Sequence, residues 1–238
     1  MEKRYEATKI ILDAYARVEN PTRWHLHKVK HTFEVAGASL QIAAAEQLPP
    51  AERETAEVIA ILHDLGRFSQ KGYDNKGFDH GDAAVELLRE MKKFDDPLIL
   101  FAVAEHNKFH ISDDSLNALA PEIRDNALMH AKLIRDADKL ANIRDFMRYD
   151  MPSNEEKRAP LSAAIRTVLL SGKPIMYKDV ETYSDEVLSV LEWVNDIYFD
   201  YTRAELERMD YVGFALAALK ARGATPEDLR LVEQRYGS

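Results

Sequence analysis

The sequence predicts an all-α fold, and three observations carry this prediction. The longest patterned segments of the 238-residue chain repeat their apolar residues at helical spacing rather than in alternation. Gly and Pro number only nine each, and 46% of the residues are hydrophobic, which is enough for a sizeable core. We therefore expect a bundle of helices, with residues 1–150 as one helical domain and residues 151–238 as additional C-terminal helices packed on the same domain.

Charge and composition limit the classes of function. The formal net charge of −9 argues against general binding to nucleic-acid backbones but allows a local basic pocket for a small phosphate ester. The chain has no cysteine, so any metal must be held by His, Asp or Glu. No run reaches the roughly 20 apolar residues of a membrane span, and residues 1–5 are not typical of a signal peptide. We expect a cytoplasmic protein without a membrane partner.

The first two helices are predicted from apolar stripes and breaks. Residues 5–18 carry one apolar stripe, and this pattern ends before Pro21. A second helix begins near Trp24 and carries His27 and His31. These two histidines are four residues apart and share a face, so either could face a metal.

The third predicted helix, residues 51–65, ends in an adjacent histidine and aspartate, His63 and Asp64. An imidazole and a carboxylate side by side can bind one divalent ion if the backbone turns there, and Gly66 would permit such a turn. The pair by itself is more typical of a surface or capping pair. A metal site is therefore predicted only if distant residues complete the set of ligands.

Two loops and two helices follow this pair. Residues 68–79 contain glycines and an asparagine that indicate an irregular loop. A fourth helix opens at His80, and the N-cap Asp96 begins a fifth helix that ends at His106. Residues 107–117 form a second loop near the same edge. We expect the two loops to select the substrate.

A long helical pattern from Asn126 to Phe146 carries two carboxylates, Asp136 and Asp138. A carboxylate this close to an apolar face needs a partner. On an ideal helical wheel, Asp136 lies more toward solvent as a charge on the helix surface.

The rest of the chain has the character of a scaffold. Residues 161–170 predict a short helix, and apolar stripes over residues 187–198 and 206–219 predict two more. Thr225 caps a last short helix. The aromatic-rich residues 193–214 favour helix packing or a dimer face, so a homodimer is compatible with the sequence.

In order along the chain, His31, His63-Asp64 and Asp138 resemble the H…HD…D pattern of the HD-domain superfamily of metal-dependent phosphohydrolases. The resemblance spans residues 24–149. It implies an HD-domain-like helical bundle and a divalent metal, Mn, Fe, Co, Ni, Zn or Mg, held by these four side chains. It also implies cleavage of a phosphate monoester or diester in a small substrate, such as a nucleotide or related metabolite.

His80 and His106 occupy positions similar to the extra histidines of HD proteins with binuclear sites. The resemblance therefore implies that a second ion can bind, with the Asp64 carboxylate as the bridge between the two. In such relatives the metals lower the pKa of a water, and the resulting hydroxide attacks phosphorus.

The resemblance also indicates residues for the reaction and the substrate. Asp64 and Arg67 are the candidates for catalysis. Arg67 stands where many relatives carry lysine, and its guanidinium could clamp a phosphoryl oxygen but would not donate a proton. Lys108 and His110, in the second loop, are further candidates for substrate binding, although an ordinary loop histidine is the simpler interpretation of His110.

The chain departs from the family pattern at two points. Asn107 follows His106 where binuclear phosphodiesterases often have a second histidine, and the Gly-Tyr-Pro signature of cyclic-dinucleotide phosphodiesterases is absent. Both departures argue against that subclass.

Two functions other than phosphate-ester hydrolysis stay open. They are a regulatory or binding module that holds metal without turnover, and a binuclear-iron oxygenase of the kind that some HD relatives resemble.

Overall fold

The computed structural model describes residues 2–70, 78–149 and 159–237, and over these residues the chain forms twelve α-helices and no strand. The predicted all-α class is confirmed. The chain divides into two compact units, Met1–Ala141 and Asn142–Ser238. The packing of the C-terminal helices on the first domain stays a prediction. None of the described helices combines the length and the apolar character that a membrane span requires.

The first unit contains six complete helices and most of a seventh. They are α1 (Glu2–Ala16), α2 (Arg23–Ala45), α3 (Pro50–Leu62), α4 (His80–Met91), α5 (Pro97–Glu105), α6 (Asp113–Asn117) and α7 (Pro121–Tyr149).

The centre of this unit is α3, whose residues from Ala56 to Leu62 are all buried. It packs against α1, α2 and α5. A helix enclosed in this way is apolar all round, and the exception, Glu57, pairs with Arg4 at 3.1 Å. Because neighbours hold α3 from several directions, the His63-Asp64 pair at its C-terminal end has a fixed position.

The chain turns after α3 without a left-handed glycine. Asp64 has φ −97° and ψ 13°, and a 3₁₀-helix, Leu65–Ser69, follows. Gly66 does not have a positive φ. A Cβ at this position would instead overlap the carbonyl oxygen of His80 and lie 2.9 Å from the backbone nitrogen of Ala84. The predicted reason for Gly66 is therefore wrong: this glycine allows the 3₁₀-helix and α4 to approach closely.

Local capping chemistry predicted some boundaries well and missed others. The Asp96 side chain accepts a hydrogen bond from the Leu98 nitrogen and begins α5 as predicted. Within the predicted second loop, however, Ser112 caps the short helix α6. The long helix α7 begins at Pro121 rather than at Asn126, which agrees with the preference of proline for the first helical position.

The second unit, from Asn142 onward, contains the end of α7 and five further helices. These are α8 (Ala163–Ser171), α9 (Tyr183–Leu191), α10 (Asp200–Arg208), α11 (Tyr211–Ala221) and α12 (Pro226–Tyr236). Thr225 caps α12 as predicted.

Two predicted helices of this unit are interrupted. The 187–198 stripe leaves the α-helix after Leu191 and continues as a 3₁₀-helix, Glu192–Asp196. The 206–219 stripe is broken at Asp210, where φ is 50°. Apolar spacing does not reveal such breaks, because the segments on both sides of a break can face the same core.

Candidate metal centre

Four predicted ligands converge from three helices. His31 lies within α2, Asp138 lies within α7, and their Nε2 and Oδ1 atoms are 2.9 Å apart although 107 positions separate them in the chain. The His31 Nε2 is also 3.9 Å from Asp64 Oδ2. The His63 Nε2 is 3.6 Å from Asp64 Oδ2 and 3.8 Å from Asp138 Oδ1. The predicted convergence is confirmed, and we call these four residues the first ligand group.

A second cluster shares the same aspartate. His80 is the first residue of α4, and His106 directly follows α5. Their Nε2 atoms lie 3.4 Å and 3.9 Å from Asp64 Oδ1, and 3.1 Å from each other. We call Asp64, His80 and His106 the second ligand group. The two oxygens of Asp64 therefore face different groups, Oδ2 the first and Oδ1 the second.

The spacing of these atoms fits metal coordination. Nitrogen and oxygen ligands lie about 2.0–2.2 Å from a divalent ion such as zinc, so neighbouring ligand atoms are about 3–3.5 Å apart. His31, His63 and Asp64 each offer one ligand atom, and these three atoms lie within 4.8 Å of one another. The same is true of one ligand atom each from Asp64, His80 and His106. Small side-chain adjustments would therefore allow each group to hold one ion.

Backbone carbonyls fix the ring orientation of two of these histidines. The Nδ1 of His63 is 2.6 Å from the Ala60 oxygen, and the Nδ1 of His106 is 2.7 Å from the Val103 oxygen. A carbonyl only accepts, so each Nδ1 carries the proton and each Nε2 presents a lone pair to the site. The Nε2 of His63 is buried and has no hydrogen-bond partner among the described residues. Such an orphaned lone pair fits a metal ligand.

Burial keeps these histidines neutral. It lowers the pKa of His63 to about 4 against the opposing effect of Asp64, and it lowers the pKa of His80 to about 3. Burial also lowers the pKa of His106. Metal binding requires neutral imidazoles. His63, His80 and His106 are therefore neutral near pH 7, as metal binding requires.

The carboxylates of the site are held in their charged form. Burial would raise the pKa of Asp138, but the hydrogen bond with His31 outweighs this effect and holds the pKa below its usual value. Burial would likewise raise the pKa of Asp64, and the charge of Lys28 is the largest of the effects that reverse it and hold this pKa below its usual value. Both aspartates can therefore offer anionic oxygens to a cation.

Two cations flank the shared aspartate. The Lys28 Nζ is 2.9 Å from Asp64 Oδ2, and the Arg67 Nε is 3.4 Å from Asp64 Oδ1. Arg67 is a predicted site residue, whereas sequence reasoning missed Lys28. The signal that could have found it is its spacing: Lys28 lies three residues before His31 and so shares its face of α2.

The predicted exposure of Asp136 is wrong. Asp136 is fully buried, whereas the side chain of Asp138 is 24% exposed. The segment of α7 from Leu133 to Ala137 is buried at every position, so this part of the helix has no solvent face. An ideal wheel assumes one buried side and one exposed side. Asp138 is nevertheless the aspartate that contacts His31.

The other predicted contacts lie outside the two ligand groups. The His27 ring stacks on His31 at 6.2 Å. The Lys108 Nζ is 2.5 Å from Asp79 Oδ2 and 2.8 Å from Asp82 Oδ2, so it neutralises carboxylates near the start of α4. His110 is exposed. Substrate binding by Lys108 and His110 stays a prediction, and residues 71–77 of the first predicted substrate loop lie outside the described residues.

Asn107 contacts His80 of the second ligand group and also contacts Asp79. Its Nδ2 is 3.1 Å from His80 Nδ1 and 3.0 Å from Asp79 Oδ1. The start of α4 and the end of α5 can approach closely because Gly81 has no side chain. A Cβ at Gly81 would lie 2.7 Å from Asn107 Oδ1 and 2.9 Å from the Ala104 oxygen.

Comparison with known families agrees with this geometry. The HD domain model matches residues 29–143, a segment that contains every member of both ligand groups. The chain has no significant match among curated proteins or solved structures. Residues 29–143 are therefore similar to the HD domain, and both ligand groups lie within this segment.

Proposed function

We propose that this protein is a metal-dependent phosphohydrolase that cleaves a phosphate monoester or diester of a nucleotide or related small metabolite. The observation that carries the proposal is the arrangement around Asp64. Its two oxygens face two separate groups of histidines, and Lys28 and Arg67 flank it. Metal ligands and cations thus lie together, as the binding of a phosphate ester requires.

Each ligand group would bind one of the two metal ions. His31, His63 and Asp138 would hold one ion with Asp64, and His80 and His106 would hold the other. Divalent ions bound there supply positive charge to the phosphoryl oxygens and lower the pKa of a water. About four positive charges against the two carboxylates of the site would leave a surplus that favours an anionic substrate. This local surplus is compatible with the formal net charge of −9.

Lys28 and Arg67 would bind the phosphate directly. Without a metal, both neutralise Asp64. Once Asp64 is a ligand, both cations can turn to phosphoryl oxygens. The Arg67 guanidinium offers a planar set of donors that matches phosphate, and Gln70 orients it by accepting from its Nη1 at 3.3 Å. Lys28 adds a compact charge whose side chain is only 14% exposed.

The test is phosphate release by metal-reconstituted protein. The protein is stripped with a chelator, reloaded separately with Mn, Fe, Co, Ni, Zn or Mg, and assayed with nucleoside monophosphates, p-nitrophenyl phosphate and bis-p-nitrophenyl phosphate. We expect metal-dependent hydrolysis of at least one ester class. The Asp64→Asn variant should lose this activity by more than about a hundredfold, beyond the 10–100-fold effect of changes outside the ligand shell.

The same preparations separate the alternative functions. Protein that binds metal and is stabilised by a nucleotide, but hydrolyses no ester, would indicate a regulatory module. Oxygen consumption by the iron-loaded protein, without phosphate release from an ester, would indicate an oxygenase. Either result would contradict the proposed hydrolysis.

A further inference from the structure

A buried arginine on α7 binds the chain where α5 ends. Arg135 is 3% exposed. Its Nη1 donates to the carbonyl oxygens of Glu105 at 3.0 Å and Lys108 at 2.6 Å, with the His106 oxygen at 3.5 Å. Its Nη2 donates to the Phe109 oxygen at 3.3 Å. One guanidinium therefore contacts four carbonyls within residues 105–109.

Carbonyls at a helix end are a natural partner for such a cation. The last carbonyls of an α-helix have no partner within the helix and carry partial negative charge. Hydrogen bonds from an ionised donor are shorter and stronger than neutral ones. A guanidinium with five donors in a rigid fork can hold several carbonyls in one arrangement. Arg135 therefore fixes the path of the backbone over residues 105–109.

This backbone path carries His106 of the second ligand group and also Asn107, which contacts His80. The His106 ring is tied to the last turn of α5 through the Val103 oxygen, so its Nε2 moves with the local backbone. Asn107, in the same segment, contacts the Nδ1 of His80. The first ligand group depends less on such contacts: His63 directly follows α3, but His31 and Asp138 lie inside helices whose own hydrogen bonds fix the backbone.

We propose that Arg135 is a positioning residue for the second ligand group. It lies three residues before Asp138 on α7, so one turn of this helix supplies a first-group ligand and also holds the segment that carries His106. Arg135 thereby sets the distance between the two groups. The inference rests on the two-ion site of the proposed function but not on the hydrolysis of any ester.

The test measures metal binding in four variants of the full chain, one of which, His106→Ala, removes a second-group ligand itself. Arg135→Gln removes the charge, and Arg135→Lys keeps the charge but loses the fork. The matched control is Arg124→Gln. Arg124 also lies on α7 and donates to the backbone oxygens of Leu119 and Asn117 at 2.9 Å and 2.6 Å, but these precede α7 and belong to neither ligand group. Each protein is stripped, titrated with Co²⁺ or Mn²⁺, and checked for helical content by circular dichroism.

We expect Arg135→Gln to retain the first ion and to bind the second about 10–100-fold more weakly, the usual effect of losing a group that orients a ligand. His106→Ala should show the same selective loss. Arg135→Lys should be intermediate, because an ammonium cannot reproduce the fork. Arg124→Gln should bind both ions with the affinity of the wild type.

Other outcomes would overturn the inference. Arg135→Gln could bind both ions with the affinity of the wild type, or it could bind both ions equally more weakly. The third such outcome is a wild-type protein that binds one ion. If Arg135→Gln does not fold, Arg135→Lys decides: selective weakening of the second ion supports the inference, and any other result overturns it. A wild type that binds two ions but hydrolyses no ester would overturn the proposed function and leave the role of Arg135 standing.

Discussion

The two ligand groups share Asp64 but are built differently. In the first group, His31 and Asp138 lie within α2 and α7, and His63 directly follows α3. His80 and His106, in the second group, lie at the start of α4 and just after α5. Backbone inside a helix is fixed by its own hydrogen bonds, whereas backbone at a helix end depends on caps and tertiary contacts. The second group should therefore be the easier one to loosen.

The groups also differ in charge. The first contains two carboxylates, Asp64 and Asp138, and the second contains only the shared Asp64. A divalent ion is held more strongly where more anionic oxygens face it. We infer that the first ion binds more tightly than the second.

The largest effect is expected from Asp64→Ala, because it removes the residue common to both groups. Neither ion should remain bound after dialysis, and hydrolysis should fall by more than about a hundredfold. Metal analysis by mass spectrometry checks the first part and phosphate release the second. Asp200→Ala, which changes an aspartate whose side chain is 99% exposed in the second unit, is the control and should match the wild type. Two ions in Asp64→Ala would contradict the bridging role.

A smaller and selective effect is expected from His106→Ala. The metal-to-protein ratio should fall from about two toward one, because the first group keeps all four of its ligands. His110→Ala, which changes the exposed histidine four residues later, should leave the ratio unchanged. Equal ratios in wild type and His106→Ala would mean that the second group does not hold an ion.

The metal-free protein should lose stability as the pH falls. Burial lowers the pKa of His63 from 6.5 to about 4 in the folded chain. Between these values the unfolded chain binds more protons, so the free energy of unfolding decreases as the pH falls from about 6.5 to about 4. His63 alone corresponds to roughly 3 kcal/mol, and His80, with its pKa lowered to about 3, acts in the same direction.

Urea unfolding of chelator-treated protein at pH 7 and pH 4.5 measures this loss. The His63→Gln variant should lose less stability over the same interval, because it lacks one of the buried imidazoles. A free energy of unfolding that does not change with pH in the wild type would contradict the burial of neutral histidines in both groups.

Substitutions of Asp136 and Asp138 should have different effects, the first on stability and the second on metal binding. Asp138→Ala removes a ligand of the first group and should weaken the first ion. Asp136→Ala should keep both ions, but it removes a fully buried polar group and should lower the free energy of unfolding by about 1–3 kcal/mol. Metal titration and urea unfolding of both variants measure the two effects. Loss of metal from Asp136→Ala alone would reverse the assignment of the ligand.

The smallest expected effects concern two glycines. Gly66→Ala places a methyl group against the His80 carbonyl and should destabilise the protein by about 1–3 kcal/mol. Gly37→Ala is the matched control, because a Cβ there has no neighbour within 4 Å inside α2. It should stabilise the helix by about 0.5–1 kcal/mol. Thermal unfolding of both variants compares them, and a stabilising Gly66→Ala would contradict the close approach.

Local sequence patterns predicted the helices better than the segments between helices, where the chain changes direction. Capping residues identified the starts of α5 and α12, because a cap acts within a few residues. The same patterns missed α6 and the left-handed Asp210. An apolar stripe reports which side of a segment faces a core, but it does not report where the backbone changes path.

The sequence by itself determined the all-α class and the order of the candidate ligands His31, His63-Asp64, His80, His106 and Asp138. Helical periodicity is a local property, and the resemblance to the HD pattern depends only on residue types in order. Helix packing places the two oxygens of Asp64 against different histidines and buries Asp136. It also brings Lys28 to Asp64 and Arg135 to the backbone of residues 105–109. These features join residues as far apart as His31 and Asp138, and helix packing rather than local spacing sets such distances.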